Sequence, residues 1–242
     1  MPLPKVDVVT YDLKLPISNK TIRYRPFLVK EQKILLMSAE SENAEVIERG
    51  MRQILQNCCL DNIDVENLSL LDVEYFFMNV RAVSVGEIVE NKFRCKNLVE
   101  GEVCDNLMTV DINLNEIKVE GLETYKDIIP ITDKIGVKMT LPKYSLIGKA
   151  VTYDNEFGTD FIFDLFVDCI EYIYDGEQIF YTKEVDRKEV VEFLENLNSE
   201  QFEKVQGYFS NIPKLDKTKE VDCSKCGFHH KIEFDGIESF FE

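Results

Sequence analysis

The sequence predicts an α+β fold, with helical N-terminal and C-terminal segments around a central antiparallel β region. Apolar residues recur at helical spacing from about Val29 to Gly86, and again in the stretch that ends at Pro213. Between Ile88 and Leu141 the period drops to two, the spacing of a strand with one buried face. The changes of period mark four segments: residues 1–87, a β-hairpin plus helices; 88–150, the β region with a first cysteine pair; 151–213, helical; and 214–242, a second cysteine pair and a strand. With 242 residues and 45% hydrophobic content, the chain can bury one large core or two modest ones.

Residues 6–27 alternate as a hairpin does, with Val9, Tyr11, Leu13 and Leu15 on one face and Ile22 and Tyr24 returning after a turn at Ser18-Asn19-Lys20. Pro26 ends it. The pattern then turns helical, and the segment from Asn43 to Cys59 places Ile47, Met51, Ile54, Leu55 and Cys58 on one face. Ser69 is an N-cap, with Asp72 three residues on, for a helix that buries Val73, Phe76, Phe77 and Val80 and closes near Gly86.

In the β region, residues 88–95 read as a strand, and Met108, Val110, Ile112 and Leu114 alternate with Thr109, Asp111, Asn113 and Asn115. A further β segment spans Ile128 to Leu141, and Pro142 marks its exit. Thr159 or Asp160 then caps a helix expected to run through Tyr174. Its stretch from Phe161 to Tyr174 has almost no polar face and must be covered by the core or by a partner. Asp186 opens a helix carrying Val190, Phe193, Leu194 and Leu197, and Ser199 opens one carrying Phe202, Val205 and Phe209. Lys214 to Lys219 is read as a linker, and no internal repeat or low-complexity tract interrupts the chain.

The balance of 28 basic against 45 acidic residues leaves a net charge of -17, which repels phosphate backbones and anionic lipid surfaces. Direct nucleic-acid binding is therefore disfavoured. The first residues, MPLPKVDVVTYDLKLP, lack the apolar core and cleavage site of a secretory signal, so folding in the cytoplasm is expected. The most apolar segment, Phe161 to Tyr174, is too short to cross a bilayer.

Seven cysteines in a cytoplasmic chain point to metal or burial before disulfides. Cys223-Ser-Lys-Cys226-Gly227 has the turn that aims two thiolates at one ion, and strands on both sides bring Cys95 and Cys104 together at the base of a hairpin. A lone Cys-x-x-Cys can be a redox motif, but that motif opens a helix, whereas Phe228, His230, Ile232 and Phe234 alternate as a strand. The two pairs together predict one structural zinc on Cys95, Cys104, Cys223 and Cys226, a ribbon joining the middle of the chain to its C-terminus. A closed shell of four thiolates leaves no position for a reactive water. Cys58, Cys59 and Cys169 are assigned to packing. His229 and His230 are read as exposed neighbours of the strand, with a ligand role left open.

No Gly-rich phosphate loop, GxSxG elbow, HExxH pair or Cys/His dyad occurs at a recognisable spacing, so no catalytic residue is assigned and an enzyme is the weaker class. FLVKEQKILLMSAES (Phe27 to Ser41), LLDVEYFFMNVRAVSVGE (Leu70 to Glu87) and the two cysteine knuckles follow in this order. With them the chain resembles the T-even phage baseplate hub proteins, from near the N-terminus to the final IEFDGIESFFE. The resemblance implies a non-enzymatic hub subunit or hub assembly factor of a contractile-tailed bacteriophage. Its partners would be other baseplate hub proteins, and its location the host cytoplasm during assembly and the tail baseplate of the virion. Self-association stays open. The alternative is a cytoplasmic zinc-ribbon adaptor in transcription or nucleic-acid processing, which the net charge opposes.

Overall fold

A computed structural model describes residues 6–41, 43–146 and 159–234. Strands β1 (Tyr11–Lys14) and β2 (Thr21–Tyr24) form the first hairpin, with Leu13 opposite Ile22 and Tyr11 opposite Tyr24. Leu13, Leu15, Ile22 and Tyr24 are buried as the alternation requires, whereas Val9 lies before the strand and is exposed. Asn19 takes the positive φ of the turn, 55°, which Asn tolerates better than most residues.

Helix α1 (Val29–Ala39) follows, and the Glu31 side chain accepts from the Leu28 N–H at its start. Asn43 caps α2 (Ala44–Cys58), and Ser69 caps α3 (Leu70–Val85) by accepting from the Asp72 N–H at 3.1 Å. Gly86 ends α3 at φ 105°, a backbone angle that favours glycine. Val73, Phe76, Phe77 and Val80 are all fully buried against the hairpin and α2, which makes α3 the spine of the first core.

Strands β3 (Ile88–Arg94) and β6 (Leu107–Asn113) are a long antiparallel pair whose inner face, Val89 with Val110 and Ile112, closes that core. Between them a small hairpin of β4 (Leu98–Val99) and β5 (Glu102–Val103) turns at Glu100 and Gly101. Strand β7 (Val119–Glu120) leads to a second unit, a four-stranded antiparallel sheet. Its members are β8 (Ile128–Pro130), β9 (Ile135–Met139), β10 (Ile170–Asp175) and β11 (Gln178–Tyr181), in the order β11-β10-β9-β8. Helices α4 (Thr159–Cys169), α5 (Arg187–Glu195) and α6 (Ser199–Ser210) pack on it through Phe166, Val167, Val190, Leu194, Val205 and Tyr208. Gly136 is required where β9 passes between β8 and β10, because a Cβ there would stand 2.6 Å from the Ile129 backbone carbonyl as well as 2.2 Å from the Tyr174 hydroxyl.

Three expectations change. The helix read through Tyr174 ends at Cys169, and Ile170 to Asp175 become strand β10. Ile-Glu-Tyr-Ile-Tyr is rich in β-branched and aromatic residues, and Gly176-Glu177 supplies a tight two-residue turn, Gly176 having φ 58°, so β11 pairs back at once. Capping side chains read at Thr159 and Asp160 lie outside what is described. The last helix is capped by Asn198, one residue before Ser199, in a reciprocal pair with Gln201. The linker read at Lys214 to Lys219 is structured: β12 (Lys214–Leu215) pairs with β7, and β13 (Thr218–Asp222) begins directly after it. Strand β14 (His229–Glu233) completes the C-terminal hairpin. Leu215, Ile232 and Phe234 are buried in the first core, so β12 and β14 return to the core of the first hairpin. No helix among the described residues is long and apolar enough to cross a membrane.

Candidate metal centre

Two hairpin ends supply the cysteines. The β3/β6 ladder continues past Arg94: the Cys95 N–H donates to the Asn106 carbonyl at 2.9 Å, the Asp105 N–H to the Cys95 carbonyl at 3.0 Å, and the Cys104 N–H to the Asn97 carbonyl at 2.8 Å. This places Cys95 and Cys104 side by side with the β4/β5 hairpin beyond them. At the other end, the Cys223 N–H donates to the Phe228 carbonyl and the Gly227 N–H to the Cys223 carbonyl, both within 2.9 Å. Gly227 takes φ 70°, the open angle that lets Cys223-x-x-Cys226 close.

The two ends meet. Cys95 Sγ lies 3.6 Å from Cys226 Sγ, Cys104 Sγ lies 3.8 Å from Cys223 Sγ, and all four sulfurs are within 4.8 Å of one another. None is joined in a disulfide, whose S–S separation would be about 2 Å. A tetrahedron with Zn–S arms of about 2.3 Å has edges near 3.8 Å, so the donor set fits a zinc ion in both chemistry and spacing. Cys95, Cys104 and Cys223 are buried, and Cys226 is half-buried.

Around the sulfurs stand hydrogen-bond donors. The Asn106 side-chain amide donates to Cys223 Sγ at 3.5 Å and the Asn97 amide to Cys226 Sγ at 3.7 Å. Lys225 Nζ donates to the Cys104 carbonyl at 2.9 Å, bringing a positive charge to the rim. The Cys226 N–H is the main cause that lowers the Cys223 thiol to about 6, against the effect of burial. Burial pushes Cys95 up to about 12 and raises Cys104. A buried group of thiols opposes charge by itself, and a divalent cation bound there would supply the compensation that lets all four ionise.

Each sequence-assigned ligand thus sits in one cluster, and the three remaining cysteines sit apart. Cys58 and Cys59 belong to the first core and Cys169 to the second, with burial pushing Cys58 and Cys169 up to about 12. The histidines divide. His229 is exposed and bonds Asp222, whereas His230, read as exposed, is buried between the rings of Phe93 and Phe228 with Nε2 3.1 Å from Cys95 Sγ. Inward alternation from Ile232 and Phe234 already carried that signal, since His230 has their parity. Asn97 and Asn106 were missed, although each stands two residues after a cysteine of the first pair.

No curated protein and no solved structure matches the chain. A family model described as T4 bacteriophage base plate protein matches residues 8–242, almost the whole chain. The chain belongs to the family of T4 bacteriophage base plate proteins.

Proposed function

We propose that this baseplate protein is a structural or assembly component of the hub of a contractile tail, and that one structural zinc on Cys95, Cys104, Cys223 and Cys226 holds its two halves of sequence together. The observation that carries the zinc reading is the convergence of four sulfurs from segments 131 residues apart, within 4.8 Å of one another. Four thiolates fill a tetrahedral shell, so the ion would serve structure and leave catalysis aside. The protein acts through contacts with other hub proteins, assembling in the host cytoplasm before the tail is complete. A net charge of -17 favours cationic protein partners over nucleic acid. The four sequence segments serve as its working divisions, with the knuckles of the second and fourth clasped by the metal.

Two measurements test this. Elemental analysis of protein purified without added metal should return one zinc per chain, and Cys223→Ser should lower it; a wild-type value well below one equivalent removes the zinc reading. Mass spectrometry of purified tails should find the chain if it is a retained hub subunit, and should find it only in assembly intermediates if it is an assembly factor. Absence from both removes the hub role.

A further inference from the structure

The edge of the second sheet has the features of a docking surface. β11 ends that sheet and all four of its residues are exposed, with Ile179 at 50%, Phe180 at 44% and Tyr181 at 37%. Ladder parity determines which main-chain groups face outward. The Gly176 N–H donates to the Lys134 carbonyl and the Thr182 N–H to the Glu171 carbonyl, so Phe180 and Thr182 bond towards β10. Ile179 therefore turns its N–H and C=O outward, and Tyr181 its N–H, while the Tyr181 carbonyl accepts from Glu184. Among the described residues no strand pairs with that side.

Beside the edge lies a groove of about 300 Å³, floored by Ile135, Ile173 and Phe180 and walled by Val190 and Phe193 of α5. Its rim carries the carboxylates of Asp175 and Glu189. A strand added to β11 would place every second side chain on the groove face. A second copy of this chain is opposed by charge, because pairing of two β11 edges would bring these carboxylates towards their equivalents on a chain of net charge -17. We propose that β11 accepts an extended segment of another baseplate protein by strand addition, with an apolar side chain in the groove and Lys or Arg against Asp175 and Glu189. The surface rests on the assembly reading for the kind of partner, and not on the metal centre.

The probe is a short labelled synthetic peptide with Val and Lys in turn at every second position and Thr between them, so that both face the groove; it is compared by fluorescence polarisation with a Gly-Lys peptide of equal charge, Gly replacing Val, and a Val-Glu peptide, Glu replacing Lys. The Val-Lys peptide should bind at least about tenfold more tightly than either. Ile179→Pro removes an outward N–H that β10 does not use, and should lose that binding with an unchanged melting temperature. If Ile179→Pro does not fold, the exposed pair Asp175→Lys and Glu189→Lys gives the same reading. Equal binding of Val-Lys and Gly-Lys peptides, no binding, or full binding by the variants overturns the proposal. So does a wild-type dimer in sedimentation that Ile179→Pro dissolves, which would assign the edge to a second copy. Any of these results leaves the assembly role intact if the chain still co-purifies with tail proteins.

Discussion

His230 Nε2 lies 3.1 Å from Cys95 Sγ, joining residues 135 apart in the chain across the gap between β14 and the end of β3. On the proposed four-cysteine zinc site the contact would orient a sulfur without adding a ligand. His230→Phe should therefore leave one zinc per chain but weaken its binding about 10–100-fold, as loss of an outer hydrogen bond typically does. Competition with a chromogenic chelator measures it. A drop in stoichiometry instead would make His230 a ligand.

Metal removal should act locally first. The sulfurs meet at the far ends of β3/β6 and β13/β14, so if they share the proposed zinc, chelation should speed amide exchange in residues 94–107 and 218–233 together. The β8–β11 sheet has its own core and should keep its protection. Uniform acceleration in both sheets, read by hydrogen-exchange mass spectrometry, would show that the centre governs the whole chain.

Arg25 and Glu31 form a buried, two-pronged ion pair, at 3.2 and 3.0 Å, where β2, α1 and α2 meet. Arg25 also donates to the carbonyls of Pro26 and Asn57, so the pair is fully engaged. Removing one partner strands the other charge, and Glu31→Ala or Arg25→Ala should cost about 3–5 kcal/mol. Burial alone would push the Glu31 carboxyl up, but the Arg25 hydrogen bonds, the Leu28 N–H and nearby positive charge together hold it below its ordinary 4.5. A carboxyl depressed in the folded state stabilises above its unfolded value, and that contribution is lost as pH falls below about 4.5 and through the lower folded value. Urea melts at pH 7 and at acid pH should show wild type losing more stability than Glu31→Gln. An equal loss in both would assign the acid sensitivity elsewhere.

Helix α4 is buried towards its end and exposed one turn earlier, on the same face. Phe166 and Val167 are buried, with the Phe166 ring edge-on to Phe202 and Phe209, whereas Ile162 is 43% exposed. Phe166→Ala should cost about 3–5 kcal/mol, and Ile162→Asp should leave the isolated chain folded. If Ile162→Asp still blocks co-purification with tail proteins, the start of α4 is a contact surface. Thermal melts and pull-downs of the two variants decide it.

The cluster of four cysteines was legible because each pair has flanking strands that bring it together, and period-two alternation shows in single residues. Helix α3 was legible for the same reason: its cap, buried face and closing glycine are all local. Strand β10 was not, because Ile170 to Tyr174 continues a helix without a breaker, and its pairing with β9 is decided by residues about thirty positions earlier. The structure in the Lys214 to Lys219 run was hidden likewise, since Lys214 and Leu215 pair with Val119–Glu120.

Asp72 shows how a local reading can find the right residue for a different reason. Its position three residues after Ser69 suggested a cap, and its N–H does donate to Ser69 Oγ. Its buried carboxylate, however, turns to the first hairpin, with Oδ1 accepting from the Ile17 N–H at 2.8 Å and Oδ2 from the Ser18 N–H at 2.9 Å. The two bonds pin the turn after β1 to the first turn of α3, across 55 residues. Asp72→Ala would leave both N–H groups without their acceptor, at about 1–3 kcal/mol each. Asp72→Asn keeps one acceptor oxygen and should lose roughly half as much. Loosening should be concentrated in residues 15–20, where amide exchange of Ile17 and Ser18 should rise before that of Leu13 or Ile22. If Asp72→Ala melts like wild type, or if exchange at Ile17 and Ser18 is unchanged, the carboxylate does not hold the hairpin.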